Sequence, residues 1–137
     1  MSLRAKIIII LSGVLALQRL SVLQVLGNLL NNAAESILDQ GPEKGGGRLE
    51  IDGRLGEDEG RKVVHIQIRD NGQGLDKEEL KRIFGQGYST KGRGFSGLGL
   101  HWCANTATAL KGRLWAESPG PGQGATFHLR IPIEVKE

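Results

Sequence analysis

The sequence predicts an α+β fold, a two-layer sandwich in which a mixed β-sheet carries its helices on one face. One long segment repeats apolar residues at helical spacing, several shorter segments have the composition or alternation of strands, and glycine-rich turns separate them. A chain of 137 residues is long enough for one domain with a sizeable core. We therefore expect a single domain over residues 1–137, in which residues 1–3 are a cloning remnant.

The first half of the chain predicts an initial strand, a long helix and a hairpin. Ile7–Leu11 is rich in β-branched residues, which favours a buried strand. Leu20–Asp39 predicts a helix because apolar residues recur every three or four positions, and "QGPEKGGG" ends it. Arg48–Leu55 and Lys62–Asp70 predict the hairpin, because the polar turn "GEDEG" separates two strand-like segments. The predicted core face of the helix comprises Leu23, Leu26, Leu30, Ala33 and Ile37.

The second half predicts two helices and two more strands. In "LDKEELKRIF", Asp76 can cap a short helix, and Glu79 three residues later completes a capping box. A further helix is predicted from about Gly97 to Leu110. Arg113–Ser118 and Ala125–Ile131 are predicted strands on either side of the turn "PGPGQG".

Composition narrows the function classes. The formal net charge is only +3, and no basic stripe with interleaved aromatics is present, so a nucleic-acid module is disfavoured. The single cysteine, Cys103, excludes an internal disulfide or a cysteine metal cluster, which suits a cytoplasmic domain. The apolar run near the N-terminus is too short to span a bilayer. We expect a cytoplasmic location.

The stretch "RDNGQGL" follows the second hairpin strand and raises the question of which way Asp70 points. Alternate residues of a strand share a face, so Asp70 shares the apolar face of Ile66 and Ile68 and points into the protein. A buried carboxylate needs hydrogen-bond donors, and a bound ligand with an exocyclic amine would supply one. Gly72 and Gly74 would let the backbone approach such a ligand closely. The alternative is that Asp70 only caps the turn "DNG".

A stripe of mostly uncharged polar residues runs along the predicted long helix. Asn28 and Asn32 lie one turn apart and present amide oxygens, which Mg²⁺ accepts when it keeps waters and shares phosphate oxygens. The alternative is an ordinary solvated helix face. The stripe comprises Ser21, Gln24, Asn28, Asn32, Glu35 and Asp39.

The segment from Phe84 to Leu100 contains six glycines and predicts a linker or a lid. It leads into a helix whose first N–H groups favour phosphate, and Lys91 adds a positive charge. The alternative is a flexible solvated loop. Within it, "GRGFSG" matches the dinucleotide-binding pattern G-x-G-x-x-G, but no hydrophobic strand leads into it, so a nicotinamide cofactor is disfavoured. The chain contains no P-loop pattern.

In this order, the motifs resemble the ATP-binding catalytic domain of bacterial sensor histidine kinases, within the superfamily shared with DNA gyrase, MutL and heat-shock chaperones. "LQVLGNLLNNAAES" resembles the N box, "DNGQGL" the D-x-G-x-G box, "IFGQGYSTK" the F box and "GLGLH" the second glycine box. "GPGQGATFHLRIP" resembles the closing strand motif, and "STK" is common in nitrogen-regulation-type kinases. The resemblance covers about residues 17–132 and implies that residues 84–99 form an ATP lid.

The resemblance implies a role for each matching residue. Asp70 would accept a hydrogen bond from the adenine amino group, and Asn32 would bind Mg²⁺. Lys91 and the backbone of Gly97–Leu100 would hold the phosphates. Asn28, Asn32 and Lys91 would be the catalytic residues. The implied ATP-binding set is Asn28, Asn32, Glu35, Asp70, Gly72, Gly74, Leu75, Thr90, Lys91, Gly97, Leu98, Gly99, Leu100 and Thr126, the last reaching Asp70 through a water.

The sequence departs from the family pattern in ways that bear on activity. Gyrase-like members carry a glutamate general base four residues before the metal-binding asparagine, and Asn28 stands there in this chain. An amide cannot take a proton from water, which disfavours a dedicated ATPase and suits a kinase. Glu35 stands where many histidine kinases carry a basic residue, and Phe95 replaces the first glycine of the second glycine box. No histidine lies in a phosphoacceptor motif, so we expect this chain to be the C-terminal fragment of a longer kinase.

The resemblance therefore implies Mg-ATP binding and delivery of the γ-phosphoryl group to a histidine on a separate helical dimerisation domain of the same kinase. A response-regulator receiver domain would be the next partner, and neither nucleic acid nor direct membrane contact is expected. One alternative is a serine kinase of the anti-sigma-factor type on the same fold, whose acceptor is a partner protein. Another is a nucleotide-sensing module without turnover, which would fit the departures at Glu35 and Phe95.

Overall fold

The computed structural model describes residues 2–5, 8, 16–41, 45–85 and 98–133. From α1 onward its elements follow the predicted order and differ from the predictions mainly at their ends. Among the described residues, none of the helices combines the length and apolarity that a membrane span requires. The elements are α1 (Ala16–Gln40), β1 (Leu49–Asp58), β2 (Arg61–Asp70), α2 (Lys77–Arg82), α3 (Leu98–Ala109), β3 (Arg113–Glu117) and β4 (Ala125–Pro132).

The sheet is antiparallel throughout its described strands, in the order β1-β2-β4-β3. The prediction of a mixed sheet was therefore wrong for this part of the chain, although the α+β class is confirmed. The reason lies in the long connection through α2 and α3, which carries the chain from β2 to the far edge. β3 then turns back into β4, which fills the gap next to β2 and runs antiparallel to both neighbours.

The predicted N-terminal strand is absent from those residues near the N-terminus that the structure describes. Residues 3–5 and Ile8 are helical, and Ile8 is 57% exposed. The strand prediction was therefore wrong at Ile8, and the other residues of Ile7–Leu11 lie outside the described part of the chain. Composition alone misled here, because β-branched residues favour strands only where they pack on a half-buried surface.

The core lies between the sheet and the helices α1 and α3. Inward residues of β2 and β4 oppose each other in register, as in the pair Ile68 and Phe127. Of the fully buried residues of α1, only Ala33 belongs to the predicted face, the other three each lie one position before a residue of that face, and Leu23 is 44% exposed. The displacement brings the polar stripe to the edge of the core, so its asparagines are half-buried. The buried stripe comprises Val22, Val25, Leu29 and Ala33.

The short helix α2 begins as predicted. The Asp76 side chain accepts a hydrogen bond from the Glu79 N–H at 2.7 Å, and the Glu79 side chain accepts from the Asp76 N–H at 3.1 Å. This reciprocal capping box satisfies two of the N–H groups that a helix start leaves free. After α2, Phe84 packs edge-on against Phe127, with ring centroids 6.1 Å apart, which joins this segment to the core.

Candidate functional site

Asp70 ends β2 on the inner face of the sheet and is only 5% exposed. It stands opposite Ala125 in the register with β4 and follows the buried residues Ile66 and Ile68 of its own strand. The predicted inward orientation is thus confirmed. Its Oδ1 accepts a hydrogen bond from the Gly72 N–H at 2.9 Å, so Asp70 also closes the turn that follows. A carboxylate can accept several hydrogen bonds, so closing this turn leaves the prediction of a further donor at Asp70 open.

The loop after Asp70 packs against α1, the helix that carries the predicted metal ligand Asn32. Ser36 lies one turn beyond Asn32 on α1, and its Oγ accepts a hydrogen bond from the Gln73 N–H at 2.9 Å. A Cβ atom at Gly72 would overlap the backbone and side chain of Ser36, so only glycine permits this approach. Sequence reasoning missed Ser36, although its position four residues after Asn32 would have placed it on the same helix face.

A second loop holds the opposite side of the Asp70 turn. Gly74 has φ +68°, and a Cβ atom there would overlap the Gly120 carbonyl. The Ser118 hydroxyl accepts a hydrogen bond from the Leu75 N–H at 3.0 Å and donates to the Gly124 carbonyl at 2.6 Å. The glycines of this motif therefore serve close packing of the protein's own backbone segments. Ser118 was not predicted, because its partners Leu75 and Gly124 are distant from each other in the sequence.

Helix α3 packs against α1 near Asn28, the other asparagine of the predicted site. Cys103 of α3 is fully buried and its thiol donates to the Val25 carbonyl of α1 at 4.0 Å; burial raises the pKa of this thiol to about 11, and the Asn28 side chain opposes that rise. Asn28, one turn after Val25 on α1, therefore lies near the helix that begins with the second glycine box. Since Gly99 and Leu100 lie in the first turn of α3, the fold brings this box next to the N box.

The remaining predicted site residues fall into three groups. Asn32 and Glu35 are half-buried on α1, within one turn of Ser36, which contacts the loop after Asp70. Leu75 is buried and Leu100 packs against the core, so their side chains belong to the hydrophobic core. Thr90, Lys91 and Gly97 lie outside the described residues, as do Phe95 and most of the predicted lid. The backbone of Leu98 is described but its side chain is not.

Thr126 does not reach Asp70. It pairs with Arg69 of β2 and Glu117 of β3, and paired residues of antiparallel strands share a face. Thr126 therefore lies on the outer face, while Ala125 stands opposite Asp70 on the inner face. The prediction of a water-mediated link between Thr126 and Asp70 is corrected by this register. The alternation of β4 around Phe127 already favoured this outcome.

Comparison with known proteins agrees with this arrangement. The family described as histidine kinase-, DNA gyrase B-, and HSP90-like ATPase matches residues 18–135. The sensor protein EvgS of Escherichia coli (strain K12) is 36% identical over 119 residues, which cover 83% of this chain and 9% of that protein. The sensor histidine kinase TmoS of Ectopseudomonas mendocina is 32% identical over 110 residues, which cover 80% of this chain and 11% of that protein.

A solved structure shows the same fold. The catalytic domain of histidine kinase ThkA, in a nucleotide-free form, superposes with a TM-score of 0.65 at 29% identity, covering 85% of this chain and 70% of that one. The chain spans only about a tenth of the two full-length relatives. It belongs to the histidine kinase-, DNA gyrase B-, and HSP90-like ATPase family, and within it to the ATP-binding catalytic domains of sensor histidine kinases.

Proposed function

We propose that this chain is one domain that binds Mg-ATP and delivers its γ-phosphoryl group to a histidine on a separate helical dimerisation and phosphoacceptor domain of the same kinase. The observation that carries the proposal is the buried Asp70 at the end of β2, whose following loop packs on Ser36 of α1, one turn after Asn32. A receiver domain of a response regulator is the proposed next acceptor. The proposed location is the cytoplasm.

Asp70 is the proposed adenine acceptor. Its carboxylate is buried and held by the Gly72 N–H, so its direction is set before a ligand arrives. A carboxylate has acceptor positions beyond the one used by this N–H, and a charge-assisted hydrogen bond from an exocyclic amine is stronger than a neutral one. Gly72, Gly74 and Leu75 form the adjoining turn and would line the adenine site through their backbone.

The phosphates are proposed to lie between α1 and the start of α3. The N–H groups in the first turn of α3, including those of Gly99 and Leu100, have no partner within the helix and favour an anion. Lys91 is proposed to add its positive charge. Together with the Asp70 turn, these groups would bind the two ends of one nucleotide.

Asn32 is the proposed Mg²⁺ ligand. Its half-buried amide offers a hard oxygen donor, and within the described residues no group of three histidine, cysteine or acidic side chains could hold a metal ion. This donor set fits a Mg²⁺ ion that arrives with the phosphates and keeps several waters. When bound, the metal would supply charge neutralisation on the phosphate oxygens. Asn28 would be the second amide of this catalytic set.

A kinase fits the residues of α1 better than a dedicated ATPase. Asn28 occupies the position of the hydrolytic glutamate, and an amide cannot accept a proton from an attacking water. General-base catalysis contributes roughly 10²–10⁴-fold, so hydrolysis by the isolated chain should be slow. With the nucleophile supplied by a partner helix, the domain contributes positioning and charge neutralisation.

The proposal is tested in two steps. Isothermal titration and thermal unfolding with ATP, each with and without Mg²⁺, should show binding that the metal strengthens and that raises the melting temperature. The kinase's helical domain is then added with labelled ATP, and phosphate should appear on it in an acid-labile form. Acid-stable phosphate on a partner protein would instead support a serine kinase, and binding without any transfer would support a nucleotide-sensing module.

A further inference from the structure

His101 links the end of the α2 segment to the first turn of α3. Its Nδ1 lies 3.0 Å from the carbonyl oxygen of Phe84, a residue 17 positions earlier in the chain. A carbonyl can only accept, so Nδ1 must carry the hydrogen and donate it. This hydrogen bond therefore joins α3 to a residue whose ring packs on Phe127 in the core.

A neighbour on the same helix face sets the tautomer of this imidazole. Asn105 lies one turn after His101, and its Nδ2 is 3.2 Å from His101 Nε2. The amide N–H₂ donates to Nε2, which leaves Nδ1 as the ring nitrogen that holds a proton in the neutral ring. The order Asn105 to His101 to Phe84 is thus a directed chain of hydrogen bonds across the start of α3.

We propose that His101 is a positioning residue for the triphosphate end of the nucleotide site. This inference rests on the proposed function and deepens it. Because His101 follows Leu100 directly, its bond to Phe84 holds the turn that carries the free N–H groups at a set distance from the core. Asp70, at the end of β2, does not depend on this bond. Loss of the bond should therefore weaken recognition of phosphates and spare recognition of adenine.

The test compares two variants that differ in the donor. His101→Asn keeps an N–H donor at nearly the place of Nδ1, whereas His101→Leu keeps apolar volume and removes the donor. His65→Leu is the control, since it removes a half-buried histidine that hydrogen bonds to His128 on the outer sheet face. Affinities for ATP and for adenosine are measured by titration well below each melting temperature, with circular dichroism to confirm folding.

The expected pattern is specific to one part of the ligand. His101→Leu should bind ATP about five- to tenfold more weakly, the loss of one hydrogen bond, with adenosine affinity changed less than about twofold. His101→Asn should restore most of the ATP affinity, and the control should bind both ligands like the parent. Should His101→Leu fail to fold, Asn105→Leu on the exposed side is used, and it should show a smaller loss in the same direction.

Three outcomes separate the inference from the proposed function. A parent protein that binds no ATP would overturn both. A parent that binds ATP, with a folded His101→Leu variant that binds it equally well, would overturn only the role of His101. Equal losses for ATP and adenosine would also overturn it, because they would indicate a general structural effect. Nitrogen shifts of the ring should independently show the Nδ1–H tautomer in the parent, and the Nε2–H tautomer would contradict the geometry.

Discussion

Among the described residues, each face of the sheet buries one polar side chain, and the two are buried by different means. Asp70 on the inner face is 5% exposed and His128 on the outer face is 7% exposed. Asp70 is held by a backbone N–H of the following loop, beside helix α1. His128 is covered by side chains of the sheet itself. The Trp115 ring stacks on it, with centroids 4.8 Å apart and an interplanar angle of 2°, and His65 Nε2 hydrogen bonds with His128 Nδ1 at 2.9 Å.

This difference separates a candidate ligand group from a structural one. The His128 ring is enclosed by its neighbours, and its Nε2 faces Glu117 at 3.3 Å. Arg113 and Arg130 lie over Trp115 at 4.9 and 5.1 Å, which completes the outer cluster. Asp70 stands at the end of its strand, where loops from three parts of the chain converge. A polar group buried at the end of a strand beside loops is therefore the better candidate for binding a ligand.

The largest effect should come from Asn32→Ala on the inner side. Phosphoryl transfer in a reconstituted kinase should fall about 100-fold or more, because metal charge stabilisation is worth several kcal/mol. ATP affinity should fall less and lose its dependence on Mg²⁺. Transfer assays and titrations with and without Mg²⁺ measure both effects. The control is Asn31→Ala, which removes an exposed amide on the same helix. Equal phosphoryl transfer by the two variants would indicate that the polar stripe is only a solvated helix face.

Asp70→Asn should reduce ATP affinity about 10- to 100-fold, since a hydrogen bond to a charged group contributes about 1.5–3 kcal/mol. The fold should survive, because the amide oxygen can still accept from the Gly72 N–H. Titration calorimetry is the measurement. Asp52→Asn is the matched control on the outer face, where Asp52 pairs with Arg54, and it should bind like the parent. The proposed difference between the two faces would be wrong if both variants, or neither of them, bound ATP more weakly than the parent.

Gly124→Ala should test how tightly the Asp70 turn is packed. Gly124 has φ +74°, and a Cβ atom there would overlap the Asp70 carbonyl, whereas Gly60 has φ +77° and open space around it. Because alanine is strained in the left-handed backbone conformation, both variants should lose about 1 kcal/mol in the free energy of unfolding. Gly124→Ala should lose about 1–3 kcal/mol more because of overpacking. Urea unfolding measures both, and equal losses would mean that the turn can move aside.

The smallest effect should be a pH dependence that arises on the outer face. Burial lowers the pKa of His65, and the neighbouring His128, Arg130 and Arg54 lower it further. Burial also lowers the pKa of His128, with Arg130 and Arg69 adding to the shift and Glu117 opposing it. Both rings are thus neutral in the folded protein at a pH where the unfolded chain still binds protons.

The sign of this dependence follows from proton linkage. A depressed histidine pKa contributes stability that is complete above the unfolded value of 6.5 and is lost as the pH falls below it. The free energy of unfolding should therefore decrease between pH 7 and pH 5. Urea unfolding of the parent and of the double variant His65→Gln, His128→Gln measures the slope. A slope that persists undiminished in the double variant would assign it to groups outside this cluster.

Local pattern predicted the elements of this fold well and their arrangement less well. The capping box at Asp76 and the hairpin of β1 and β2 depend on neighbours in the chain, and both are present. The antiparallel pairing of β4 with β2 joins segments far apart in sequence, so alternation within each strand could not decide its direction. The same limit placed most of the buried stripe of α1 one residue before its predicted position, because apolar side chains extend around much of that helix.

The sequence by itself determined the order of the motifs and the direction of Asp70. Period-two alternation sends a residue to the face of its strand whatever the strand packs against. Only the tertiary structure decided what meets Asp70. It placed Ser36 against the Gly72 turn, Ala125 rather than Thr126 opposite the carboxylate, and His101 on the Phe84 carbonyl. These partners are distant in the chain, and strand register and helix packing set their distances.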